Sequence, residues 1–242
     1  MARAPMALLL DDPRFSAHVP RGYHPERPER LTAARRAVEE ASVRYVPVAA
    51  REATLDELVR VHSPRYLESL EKLRGQQGDL DGDTYVSPGS VLAAKLAAGG
   101  VVAMVDAMLD GPVGKAVALV RPPGHHARPQ RGMGFCLLNN VAVAAAHARA
   151  RGVGRVLVVD WDAHHGNGTQ EMFWTDPCVL YMSAHQYPFY PGTGDATEVG
   201  ESEGPRSPAT PGPAPGGIAV LKSETKNTKQ RRPPRNNATV QG

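Results

Sequence analysis

The chain alternates short, continuous apolar runs with longer stretches of helical period. Residues 6–10, 116–120, 156–159 and 178–183 are runs of four to six residues, almost all apolar. Runs of this length, bounded by Gly, Pro, Asp or His, predict strands buried on both faces. Between them, a helix starting at Pro28 or Glu29 and running to about Ala41 places Leu31, Ala34 and Val38 on one face, with Pro25 and Pro28 fixing where it begins. Thr54 and Glu57 have capping-box spacing ahead of Leu58 and Val61, and Ser63-Pro64 opens a helix carrying Tyr66, Leu67, Leu70 and Leu73. Residues 90–109 are Ala-rich and apolar around most of the helical circumference apart from Lys95 and Asp106, which predicts a well-buried helix. Residues 141–151 predict another helix and 169–174 a short one, while 14–27, 79–88 and 185–194 read as loops. Strands alternating with helices in this way predict an α/β fold: three layers, α/β/α, around a mainly parallel sheet. Sites in such sheets form beyond the carboxyl ends of the strands, where residues 121–129 and 160–168 both fall.

The pattern stops near Gly200. Residues 201–217 are rich in Pro, Gly, Ser and Glu, and 222–242 are polar, basic and aperiodic, with one brief apolar patch at 218–221. The expected organisation is a folded domain over residues 1–200 and a disordered tail over 201–242, too polar to add a further strand and helix. The tail also explains the charge. Seven of the Lys and Arg residues lie beyond Pro205 against the single acid Glu224, so the overall +3 becomes about −3 for the folded part. KQRRPPR, residues 229–235, is read as a solvated tail, and no nucleic-acid partner is expected. Two cysteines, Cys136 and Cys178, give no disulfide framework and fit a reducing compartment. The early apolar run is too short for a signal-peptide core, so a cytoplasmic protein without membrane contact is expected, with the nucleus as the alternative in a eukaryote.

The chemistry concentrates at two strand ends. In VLVVDWDAHHGNG, residues 156–168, an apolar strand turns abruptly into carboxylates, histidines and glycines. Asp160 and Asp162 alternate with Trp161, so both project to one side of an extended backbone, with His164 following on the same side. A carboxylate and an imidazole at this spacing can grip one divalent cation. His165 reads as a core histidine. The second strand end carries RPPGHHARP, residues 121–129, in which prolines and a glycine hold His125 and His126 rigidly at the sheet edge. Histidine is the side chain best placed to move protons near neutrality.

RPPGHHA, GFCLLNN, DWDAHHGNG and YPGTGD, in this order and spacing, resemble the zinc-dependent histone deacetylase family, which includes the acetylpolyamine amidohydrolases; HPERPER, residues 24–30, resembles its class II-like branch. The resemblance implies an arginase-like α/β/α fold and hydrolysis of an N-acetyl amide, on acetyl-lysine in histones or other proteins or on acetylated polyamines. It implies zinc held by Asp162 and His164, with His126 as general base and then acid, and His125 as its electrostatic partner. Asp160 would stand behind His125 and Asn167 behind His126. Gly134, Phe135 and Tyr190 would line a narrow tunnel for the acyl-bearing chain. Asp160, Ser183 and the backbone oxygens of Asp162, His164 and Ala184 resemble the family's structural potassium site.

The sequence departs from the family pattern after residue 200. The family takes its third zinc ligand, a second aspartate, from a later strand, and its oxyanion-stabilising tyrosine from a Gly-Gly-Tyr turn later still. Beyond Pro205 there is no Asp, His or Tyr, and Glu224 is the sole acid. The expectation is therefore a fold incomplete at its C-terminal end, as from a broken or alternative 3′ reading of a deacetylase gene. An unpaired sheet edge and exposed core surface should follow, with aggregation as their consequence. Two ligands instead of three should cost zinc affinity, and a lost oxyanion donor is typically worth ~3 kcal/mol of barrier. Activity should be impaired. The competing reading is a non-catalytic interaction protein that keeps the fold; a binuclear manganese ureohydrolase is disfavoured for want of carboxylates around residues 160–167.

Overall fold

The computed structural model describes residues 6–201 and the backbone of Ala219–Ser223. In chain order the elements are β1 (Met6–Asp11), α1 (Glu29–Glu40), β2 (Arg44–Pro47), α2 (Leu55–Leu58), α3 (Pro64–Glu71), β3 (Gly78–Asp79), β4 (Tyr85–Val86), α4 (Ser90–Asp110), β5 (Ala116–Leu119), α5 (Asn140–Ala150), β6 (Val156–Asp160), α6 (Asn167–Met172), β7 (Val179–Gln186) and β8 (Ala219–Ser223). The helix starts follow the local chemistry. Thr54 and Glu57 close a reciprocal capping box on α2, and the Ser63 hydroxyl accepts the Tyr66 amide at the start of α3.

The fold is α/β with mainly parallel sheets. β1 pairs in parallel with β2 on one side and β5 on the other, and β6, β7 and β8 form a second parallel sheet, with β3 and β4 as a small antiparallel pair. Four strands depart from the sequence expectation. β2 is a short, largely exposed edge strand ending in Pro47, defined by its pairing with β1 rather than by any apolar pattern. β3 and β4 lie in what reads as a loop. β8 falls inside the segment expected to contribute no strand: Ala219–Ser223 pairs in parallel with Met182–Gln186 of β7. The rest of the tail lies outside the described residues.

α4 organises the interior. By length and apolarity alone it would pass for a bilayer span, but eleven of its 21 residues are buried, and it packs against β1, β5 and α5. It serves two cores. Val91, Ala94, Ala98 and Val102 meet Leu67, Leu70, Leu138 and Val143, whereas Leu96, Ala97 and Met104 meet Leu10, Phe15 and Leu31. Gly99 is required here, because a Cβ would lie 2.2 Å from the Arg51 carbonyl oxygen and 2.4 Å from the Ala53 nitrogen.

The two parallel sheets do not join. Among the described residues β5 pairs only with β1 and β6 only with β7, so each presents an open edge. Both edges line one cavity of about 670 Å³, together with Asn140, Val141 and Ala144 of α5. The expectation that residues 156–159 are buried on both faces is corrected accordingly. Val156 and Val158 pack on the core, but Leu157, Val159 and Trp161 are 57%, 50% and 80% exposed, because no described element covers that side. The strand at 116–119 is likewise only half-buried. An unpaired edge beside an apolar slot is the surface feature expected from the sequence, and it ends beside the histidine pair.

Candidate functional site

His125 and His126 are held where β5 runs out. The His125 carbonyl accepts the Gly168 and Thr169 amides at 3.0 and 3.1 Å, satisfying donors at the start of α6 and tying the two strand-end loops together. His62 braces the same loop from below: its Nε2 accepts the Asn139 amide at 3.0 Å, so its Nδ1–H donates to the Arg128 carbonyl at 3.1 Å.

The two rings lie 4.0 Å apart between centroids, and each is backed by a different acceptor. His125 Nδ1 lies 2.9 Å from Asp160 Oδ2, which also accepts the Tyr181 hydroxyl at 2.9 Å. His126 Nδ1 lies 2.9 Å from Asn167 Oδ1. Since both partners can only accept, both Nδ1 atoms carry the proton and both Nε2 atoms are left as the basic positions. Burial works against ionisation of Asp160, but the His125 hydrogen bond and charge outweigh it and hold the carboxyl below its usual range. Burial, reinforced by the neighbouring His125, lowers His126 to about 4, so it stands neutral at pH 7.

β6 ends at Asp160, and the chain then turns. The Asp160 carboxylate accepts the Asp162 amide at 3.1 Å, and the Asp162 carboxylate accepts the His164 amide at 2.8 Å. Two successive Asx turns, not continued strand alternation, bring these side chains together. Asp162 Oδ1 and His164 Nδ1 are 3.1 Å apart and partly exposed. Two ligands of one tetrahedral zinc, each at about 2.0–2.2 Å, stand a little over 3 Å apart, so this pair fits two ligand positions. Among the described residues no group of three His, Cys, Asp or Glu side chains could hold a metal ion.

His125, His126, Asp162 and His164 line one cavity of about 420 Å³ together with Gly134, Phe135 and Tyr190. Phe135 has φ +70°, a left-handed backbone rare for an aromatic residue; the Thr84 hydroxyl accepts its amide at 3.1 Å, and the His24 ring packs edge-on at 4.6 Å. Tyr190 meets the His126 ring edge-on at 5.1 Å. Its phenol is pushed up to about 12, by burial first and then by Asp83 and Asp81, and stays protonated.

Asp160 and Ser183 are register partners across β6 and β7, and the Ser183 hydroxyl lies 2.8 Å from His185 Nδ1. Ala184 follows on β7, beside β8. His165 is fully buried with both ring nitrogens partnered, by Thr193 at 2.8 Å and Gln170 at 2.7 Å.

Two groups escape a reading of the motifs alone. Phe189 stacks on His164 at 5.1 Å and 18°; its position beside Tyr190 in YPFYPGTGD was the available signal. Beneath the cavity, Arg121 donates to both oxygens of the fully buried Glu26, from Nε at 2.6 Å and Nη2 at 2.5 Å, and to the Phe15 and His18 carbonyls. Nothing in HPERPER and RPPGHH shows that residues 95 positions apart pair in this way.

Three buried histidines make the fold acid-sensitive. Burial is the main cause that lowers His18 to about 3, His62 to about 4 and His126 to about 4, from an ordinary 6.5. The unfolded chain therefore binds more protons between pH 6.5 and 4, and the stability present above pH 6.5 is lost as pH falls through that window. Each histidine removes up to about 1.4 kcal/mol per pH unit, roughly 4 kcal/mol per unit for the three. Urea midpoints measured between pH 7.5 and 5 should fall steeply below 6.5; a flat profile would show that these rings are not held neutral.

Comparison with known proteins agrees with this geometry. The histone deacetylase domain model matches residues 24–213. Histone deacetylase 15 of Arabidopsis thaliana is 46% identical over 188 residues, covering 75% of this chain and 34% of that protein. The polyamine deacetylase HDAC10 of Homo sapiens is 44% identical over 216 residues, covering 81% and 30%, and a probable deacetylase of Archaeoglobus fulgidus is 42% identical over 185 residues, covering 75% and 52%. The crystal structure of the HDA15 HD domain superposes with a TM-score of 0.78 at 39% identity, covering 91% of this chain and 63% of that one. The chain thus spans about a third to a half of the length of these curated relatives. With a family model matched over most of its length and the histidine pair and strand-end carboxylates assembled around one cavity, the chain belongs to the histone deacetylase domain family.

Proposed function

We propose that this site is the centre of a zinc-dependent amidohydrolase that removes acetyl groups from lysine side chains or from acetylated polyamines. The observation that carries the reading is the pair of imidazoles with both Nδ1 atoms committed, to Asp160 and to Asn167, and both Nε2 atoms free for chemistry beside Asp162 and His164. Asp162 and His164 would hold zinc, which when bound polarises the amide carbonyl and activates water. His126, neutral at pH 7, takes a proton on Nε2 as water attacks and returns it to the departing amine, whose expulsion requires protonation. His125 differs in its backing: its Nδ1 rests on the carboxylate of Asp160, whereas His126 rests on the neutral amide oxygen of Asn167. Phe135 and Tyr190 wall a passage suited to a methylene stem and exclude bulk water. Asp160, Ser183 and the carbonyls of Asp162, His164 and Ala184 are the oxygen donors we assign to a structural potassium ion.

With two protein ligands among the described residues, this 242-residue chain is expected to hold zinc weakly and turn over slowly. The same shortfall favours a second reading, a non-catalytic protein that uses the fold for interaction. Zinc content by mass spectrometry and turnover of an acetyl-lysine fluorogenic peptide and an acetylated polyamine, each with added zinc, separate the two. Slow, zinc-dependent release of acetate supports the hydrolase. Zinc-loaded protein with no turnover of either substrate overturns it in favour of the second reading, and stoichiometric tight zinc with fast turnover overturns the expected impairment.

A further inference from the structure

Tyr190, which lines the cavity, and Phe189, which stacks on His164, sit on a loop without regular structure, residues 187–195, and something must hold that loop against the histidines. The contacts converge on one carboxylate. Glu198 accepts the Gly194 amide at 3.0 and 3.1 Å on its two oxygens, the Asp195 amide at 3.1 Å and the Gln170 side-chain amide at 2.5 Å. Gln170 stands on α6, and its Oε1 accepts from His165 Nε2 at 2.7 Å. That fixes the His165 tautomer, leaving Nδ1 to accept the Thr193 hydroxyl at 2.8 Å. Glu198 therefore grips the loop directly at residues 194 and 195 and indirectly, through Gln170 and His165, at residue 193.

The loop is also pressed close. Gly194 has φ +89°, and a Cβ there would lie 2.4 Å from His185 Nε2 and 2.7 Å from His165 Cγ. His185 Nε2 lies 3.2 Å from the Gly194 carbonyl oxygen, to which it can donate. The inner end of the loop is thus seated on two buried rings, while its outer end places Phe189 flat on His164, with centroids 5.1 Å apart, and Tyr190 edge-on to His126 at 5.1 Å. Burial works against the Glu198 charge, but Gln170 and the two backbone amides hold its carboxyl below the usual glutamate range. It is an anion fixed by donors, none of which is a cationic side chain.

We propose that Glu198 is a positioning residue: its carboxylate clamps residues 193–195 to α6 and thereby sets Phe189 against His164 and Tyr190 against His126, fixing the width of the passage for the acyl-bearing stem. The clamp stands on the geometry alone; its consequence for the stem rests on the deacetylase reading above.

The test reads the clamp without catalysis. In metal-free protein with isotope-labelled histidine, the ring protons of His164 should be shifted upfield by the stacked Phe189, and Phe189→Leu should remove that shift. Glu198→Ala should remove it to the same extent, and Glu198→Gln, which keeps an oxygen for the backbone amides, should restore part of it. If Glu198→Ala does not fold, the same comparison between wild type and Glu198→Gln decides, with an unchanged His164 spectrum counting against the clamp. His164 signals that move in Phe189→Leu but not in Glu198→Ala overturn the proposal, as do signals that ignore Phe189 altogether. In preparations that turn over, Glu198→Ala should raise KM for an acetyl-lysine peptide about fivefold or more while kcat changes less than twofold. Spectra that shift as expected in protein without turnover sustain the clamp while the deacetylase reading fails; an unchanged KM with shifted spectra overturns the role in fixing the passage.

Discussion

Replacing Arg121 with methionine is expected to cost about 3–5 kcal/mol of folding stability, because it takes from the fully buried Glu26 carboxylate the buried guanidinium that hydrogen-bonds both of its oxygens. For a chain of this size that corresponds to a fall of roughly 6–20 °C in Tm. The loss arises less from the ion pair's own strength than from what remains behind. Glu26 would retain the Tyr85 hydroxyl at 3.0 Å and the exposed Arg30 guanidinium at 4.0 Å, a long, solvent-screened contact that does not replace two buried charged hydrogen bonds. The Phe15 and His18 carbonyls would lose the guanidinium as well. The double variant Glu26→Gln with Arg121→Met removes the charge and should recover much of the loss. Chemical denaturation of the three proteins checks this. A single-variant cost below about 1 kcal/mol, or a double variant no better than the single, would show that the network does not hold this region. The consequence reaches the site, since Arg121 lies four residues before His125 in a loop that the same network ties to residues 15–26.

Replacing His126 with alanine is expected to lower whatever deacetylation rate the chain shows by about 10²–10⁴-fold, the usual contribution of a positioned proton carrier. Zinc content should not change, since Asp162 and His164 are untouched and the lost ring packs beside them without being one of the two donors. The partner variant Asn167→Asp gives a finer reading. An anion behind His126 in place of the neutral Oδ1 should raise the basicity of the ring, so the acidic limb of the rate profile should move to higher pH. The measurement is the initial rate on an acetyl-lysine peptide at fixed zinc across pH 5–9. A His126→Ala protein within tenfold of wild type would remove this ring from the proton-transfer role.

Much of the fold was legible because its signals are local. Apolar runs marked β1, β5, β6 and β7, and capping chemistry at Thr54 and Ser63 placed α2 and α3. Strand β2 was not legible: residues 44–47 have no apolar alternation, and the strand exists because β1 offers it a parallel register. β8 shows the same dependence, since its five residues become a strand only against β7. The His125–Asp160 and His126–Asn167 hydrogen bonds were reached through family resemblance, and the structure closes both at 2.9 Å.

What the sequence alone determined about this protein is the identity of the reactive groups and the strand ends that carry them, because ligand type, loop chemistry and apolar period act over a few residues. Tertiary structure alone decided three other things. It paired Glu26 with Arg121, joined Glu198 through Gln170 and His165 to the aromatic loop, and left β5 and β6 facing each other across an open slot. Each of these depends on where distant segments come to rest, and packing around α4, which serves both cores, sets those positions.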